Sequence, residues 1–142
     1  MSLNIELLRQ SFEWVTTVEP ELTKRFYDRL FADFPQTRGM FGAGPDAGRR
    51  QQTMLRDALV AVMEHLDDAP WLSDTLMALG RRHVGYGVTD EMYDWVGASL
   101  LGTLADVAGD AWTPELEAAW TDAFGVIASL MKTGAQAPAV AS

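Results

Sequence analysis

The chain has 142 residues, 48% of them hydrophobic and 22% charged, which suits one domain with a sizeable core and leaves no room for a second catalytic domain. Eleven basic residues against twenty acidic ones give a net charge of −9, so the basic surface that nucleic acid or an anionic membrane requires is missing. Cysteine is absent, which excludes disulfides, thiolate metal sites, a cysteine nucleophile and any group attached through sulfur.

The N-terminal stretch MSLNIELLRQ carries Glu6 where a signal peptide would have its apolar region, and no uncharged run approaches the roughly 18 residues of a membrane span. A cytoplasmic protein is expected. Prolines at 20, 35, 45, 70, 114 and 138 cut the chain into helical patterns, sitting between them or just inside their starts. Asn4 is placed to cap a first helix with Leu8, Phe12 and Val15 on one face, ending before Glu19-Pro20. A second, from Pro20, presents the aromatic face Phe26, Tyr27, Leu30 and Phe31. Phe34-Pro35 opens a short helical turn ending at Met40-Phe41, and GAGPDAG (42–48) reads as a loop. From Arg49 onward Leu55, Leu59, Val62, Met63 and Leu66 repeat at helical spacing, until Asp67-Asp68-Ala69-Pro70 stops the pattern.

The next helix carries Leu72, Leu76, Leu79 and His83 at i, i+4, i+7 and i+11, which brings an imidazole to the C-terminal end of an apolar stripe. Gly85 and Gly87 break it. Thr89 then caps a helix with Asp90 and Glu91 in its first turn and Tyr93, Val96, Leu100, Leu104 and Val107 inside, ended by Gly109-Asp110. Thr113-Pro114-Glu115 starts the last helix, whose inner residues are Leu116, Trp120, Ala123, Phe124, Ile127, Leu130 and Met131. The uncharged tail from 134 to 142 is expected to be disordered. No segment alternates as a strand, so the fold class is all-α: six to seven helices of unequal length around one core spanning residues 1–133.

On the residues alone, His83 is either a metal ligand with Tyr93 near it or a hydrogen-bonded core histidine. Three blocks decide between them: LTKRFYDRLFADFPQTRGMF (22–41), the RRH of 81–83 followed by Tyr93, and AWTDAFGVIASLM (119–131). Together they make the chain, from about Ser11 to Lys132, similar to the bacterial single-domain haemoglobins of the flavohaemoglobin and Vitreoscilla haemoglobin type.

That resemblance implies a globin fold holding haem b, with His83 as the proximal iron ligand and Tyr93 beside it. It implies a distal side of Tyr27, Gln51 and Leu55, with Phe41 packed on the haem face. Gln52 competes with Gln51 for the distal position. A phenol at Tyr27 carried into an apolar pocket needs a partner, and the Gln51 amide can supply one or can meet the ligand itself. Of the two histidines, His65 in MEHLDD lies near a helix end and only 18 residues before His83, too close to serve the opposite side of a haem.

Relatives of this type hydrogen-bond the proximal histidine to a glutamate near the end of the last helix, but here the ungapped position is Ala135 and the last acidic residue is Asp122. A backbone carbonyl at Leu79 or Gly80 is the expected substitute, with weaker electronic push and peroxidase-like chemistry disfavoured. Arg49, Arg50, Arg81 and Arg82 are read as solvated surface that can also meet haem propionates. The implied activity is reversible dioxygen binding, with carbon monoxide and nitric oxide as further ligands. Nitric oxide oxidation to nitrate would need an external flavin/NAD(P)H reductase, because the chain holds no dinucleotide glycine fingerprint. A homodimer is compatible with this reading. A gas sensor acting through a partner and a haem-free interaction module are its rivals.

Overall fold

The computed structural model describes residues 3–40, 47–85 and 87–136. Six α-helices are joined by short connections: α1 (Ile5–Val18), α2 (Leu22–Asp33), α3 (Ala47–Glu64), α4 (Ala69–Gly85), α5 (Asp90–Ala108) and α6 (Pro114–Gln136). Two 3₁₀ turns, Pro35–Met40 and Gly109–Ala111, follow α2 and α5. Among the described residues there is no strand, and no helix is long and apolar enough to cross a membrane.

The local signals act as expected at several ends. The Asn4 carboxamide oxygen accepts the Leu7 N–H at 3.3 Å, and the Thr113 hydroxyl accepts the Leu116 N–H at 3.1 Å, so α1 and α6 each start on a capped amide. Helix α2 begins at Leu22, two residues after the proline that announces it. Helix α6 runs through Gln136, so the boundary expected at 133 falls inside it, because Gly134 packs against α4. Residues 137–142 lie outside the described residues, as does most of the expected 42–48 loop.

The core gathers Leu8 and Val15 of α1, Phe26 and Leu30 of α2, Leu59, Val62 and Met63 of α3, and Leu100 and Leu104 of α5. Helix α3 packs against α1 and α2, while α4 packs chiefly against α6, so these two consecutive helices are held by different partners. Arg9 of α1 fixes the end of α3: its guanidinium donates to the Met63 carbonyl at 2.7 Å and the Glu64 carbonyl at 3.2 Å, serving acceptors that the last helical turn leaves open. Helix α6 is tied to α1 by the Trp120 indole N–H, which donates to the Ser11 hydroxyl at 3.0 Å.

The α4–α6 contact is of a different kind. A Cβ placed on Gly80 would lie 1.9 Å from the Met131 carbonyl oxygen, and one on Gly134 would lie 2.0 Å from that of Met77. Each helix therefore offers a glycine to the backbone of the other, in antiparallel order, at a separation that any larger residue forbids.

Candidate haem site

Helix α4 carries His83 in its last turn. The imidazole Nδ1 lies 2.8 Å from the Leu79 carbonyl oxygen, one turn back on the same helix. A carbonyl can only accept, so Nδ1 bears the proton, and the neutral ring carries its lone pair on Nε2. Burial pushes the His83 pKa below the ordinary 6.5; the Leu79 bond opposes this and the Arg82 charge adds to it. Neutral imidazole with a lone pair at Nε2 is the form that binds a metal.

The chain end of α4 holds this ring in register. The Val88 N–H donates to the His83 carbonyl at 3.1 Å and the Gly87 N–H to that of Val84 at 3.0 Å, with Gly87 at φ +86°. That paired arrangement is a Schellman cap, and the left-handed residue it needs is supplied by glycine. Of the two glycines expected to end the helix, Gly85 is its last residue and Gly87 turns the chain.

His65 is engaged elsewhere. Its ring stacks on the Trp71 indole with centroids 3.9 Å apart and planes 10° apart, and its Nδ1 sits 2.8 Å from the Ala61 carbonyl oxygen. It joins the end of α3 to the start of α4. Among the described residues no group of three or more His, Cys, Asp or Glu side chains could hold a metal ion. A lone imidazole holds a metal only where another group supplies the remaining bonds, as a porphyrin does.

The residues expected on the distal side lie on α2 and α3. Tyr27 is buried, with its ring packed edge-on to Phe26 at 4.9 Å and tilted against Phe31 at 5.8 Å. The Gln51 Nε2 donates to the Tyr27 hydroxyl oxygen at 3.1 Å. Burial raises the Tyr27 pKa and the Gln51 bond lowers it by less, so the phenol stays neutral. Of the neighbouring glutamines it is Gln51, not Gln52, that reaches the tyrosine. Leu55, one turn further along α3, is half-buried against the core. Phe41 lies outside the described residues.

Tyr93 is on α5 and is buried, and its hydroxyl has no hydrogen-bond partner among the described residues. Desolvation raises its pKa, and the Asp90 charge raises it further. The Lys132 ammonium of α6 stands 5.7 Å from its ring centroid, within cation–π range. Sequence reasoning did not find Lys132, or the two crossing glycines. The glycines carried a signal, since a glycine inside a helical pattern usually marks a close backbone approach.

Residues 24–131 match the family model described as Globin. The chain belongs to the globin family. Globins bind haem and gaseous ligands, and a neutral His83 whose Nδ1–H is bonded to the carbonyl of its own helix has the imidazole form that haem iron takes as a protein ligand. The chain is 33% identical over 124 residues to a flavohemoprotein of Bacillus subtilis, a match covering 87% of this chain and 31% of that one. It therefore spans about a third of the length of the curated relatives it matches. Among solved structures, a myoglobin of Aplysia limacina superposes with a TM-score of 0.80 at 25% identity, covering 96% of this chain and 100% of that one. A candidate nitric oxide dioxygenase from Rhodothermus marinus, engineered into a carbene transferase, superposes with a TM-score of 0.79 at 25% identity, covering 92% and 89%. The all-α class expected from the helical pattern, and the globin fold implied by the resemblance, are what is observed.

Proposed function

We propose that this globin holds haem b through His83 and binds dioxygen reversibly between the α3 and α4 walls. The observation that carries the reading is the His83 tautomer: Nδ1–H is committed to the Leu79 carbonyl, so Nε2 is the nitrogen left with a lone pair. Held by His83, the haem would supply an iron able to take a diatomic gas. The protein's part is to present a neutral nitrogen on one side and a polar O–H within an apolar wall on the other. Tyr27 is the donor for the gas ligand, and Gln51 orients its phenol. Phe26, Phe31 and Leu55 exclude water from that side, which strengthens the hydrogen bond a polarised ligand receives. Dioxygen accumulates negative charge on binding, so a neutral donor favours it over carbon monoxide.

A second reading, nitric oxide dioxygenation, draws support from the flavohemoprotein relatives and from the candidate dioxygenase of Rhodothermus marinus. Its balance is one dioxygen, one nitric oxide and one electron giving one nitrate. The electron has to come from a flavin/NAD(P)H reductase, a module that lies outside this chain's alignment with its relatives. Mixing the oxygenated, haem-loaded protein with nitric oxide in a stopped-flow instrument separates the two readings. Rapid oxidation with one nitrate formed per haem supports dioxygenation, and slow oxidation with little nitrate leaves the oxygen-binding role alone. Absence of a Soret band after haemin addition would remove both.

A further inference from the structure

A glycine in a helix interior weakens that helix relative to alanine, so a chain that sets two of them against the backbone of a partner helix gains something from the contact. Gly80 sits on the backbone of Met131, and Gly134 on the backbone of Met77. The atoms in the way are carbonyl oxygens, carbonyl carbons and Cα atoms, none of which can swing aside as a long side chain does. Restoring an ordinary contact of 3.4 Å from 1.9 Å would push the helices apart by about 1.5 Å.

Gly80 directly follows Leu79, the residue whose carbonyl receives the His83 Nδ1–H. The Nδ1 side of the ring is thus tied to its own helix. An imidazole referenced to its own helix is placed only as well as that helix is placed, and α4 packs chiefly on α6.

We propose that Gly80 and Gly134 are positioning residues for His83: their backbone crossing locks α4 onto α6 and fixes the Leu79 carbonyl, and so aims the imidazole Nδ1–H. The claim rests on His83 being the axial ligand. Its function is to keep the ring aimed while leaving it a neutral donor to a neutral acceptor. The distinction matters because a carboxylate partner would draw the Nδ1 proton and make the ligand more anionic.

The test uses the haem-loaded full chain with Gly80→Ala and Gly134→Ala, each followed by resonance Raman spectroscopy of the ferrous, ligand-free form and by haem-loss kinetics. The iron–imidazole stretching band should shift and broaden, and haem loss should speed up roughly 10–100-fold, the range seen when a partner orienting a metal-bound histidine is removed. Variants that lose thermal stability but keep the band in place would show a merely structural crossing and overturn the proposal. Should neither variant fold, or should the chain bind no haem, ¹⁵N-histidine and amide exchange NMR of the unaltered haem-free protein still decides. The His83 Nδ1 proton should exchange in step with the amides of Gly80 and Gly134. Exchange in step with Val84 and Gly85, at the helix end, would contradict the proposal whatever the fate of the haem reading.

Discussion

The two walls of the candidate site are built on different principles. On the distal side, side chains from two helices meet: Gln51 of α3 donates to Tyr27 of α2, and aromatic neighbours hold the phenol. On the proposed proximal side backbone atoms are prominent, with His83 bonded to a carbonyl of its own helix and that helix seated on bare glycine contacts with α6. The Tyr93 hydroxyl has no hydrogen-bond partner among the described residues. A polar pair can be tuned by changing one atom, whereas a backbone crossing tolerates no added atom. The distal wall should therefore respond to substitution in ligand binding, and the proximal wall in stability and in the direction of the ligand bond.

The largest effect separating the two is expected at the crossing. Gly134→Ala forces a methyl against the Met77 carbonyl and should lower the unfolding free energy by about 3 kcal/mol, at the upper end of the overpacking range, measured by urea denaturation of the haem-free chain. A loss under about 1 kcal/mol would mean that α4 and α6 separate easily. Next comes Tyr27→Phe, which removes the proposed distal donor. Dioxygen release should speed up about tenfold, the equivalent of one hydrogen bond of roughly 1.4 kcal/mol, while carbon monoxide release barely changes. Equal effects on both gases would show that Tyr27 acts through packing alone.

Gln51→Leu should be milder. The Gln51 bond opposes the rise that burial imposes on the Tyr27 phenol, so removing it should move that phenol's titration to still higher pH, read by ultraviolet difference absorbance. A downward shift would break the assignment of Gln51 as donor.

The smallest effect concerns acid. The folded-state pKa of His83 lies below 6.5, so as pH falls past 6.5 the unfolded chain takes up a proton that the folded chain refuses. Stability from this group is thus complete above 6.5 and is lost as pH drops toward the depressed folded value. The difference in unfolding free energy between wild type and His83→Gln should shrink over that window.

What the sequence made legible follows from where the information is local. Helix patterns, the Asn4 and Thr113 caps and the glycine stop after His83 are read from a few adjacent residues, and the observed helices follow them. The backbone carbonyl expected at Leu79 or Gly80 is that of Leu79, by the same logic, because a residue four positions back lies one helical turn below. The Gln51 to Tyr27 bond and the Gly80 to Gly134 crossing join residues far apart in the chain, and no periodicity reports which residue of one helix meets which of another. Lys132 over Tyr93 is hidden for the same reason. Tyr27 and Gln51 are legible through family resemblance rather than through pattern, and the two glycines leave no mark on a helical period, which treats them as gaps.

The most direct test of the account is haemin titration of the wild-type chain and of His83→Gly, each reduced and followed by absorbance, with and without added imidazole. The account predicts a one-to-one Soret transition in the wild type. In His83→Gly it predicts loss of the five-coordinate histidine spectrum and its return when free imidazole occupies the space left by the ring. A His83→Gly protein whose ferrous spectrum matches the wild type without imidazole would contradict the assignment of His83 as the axial ligand.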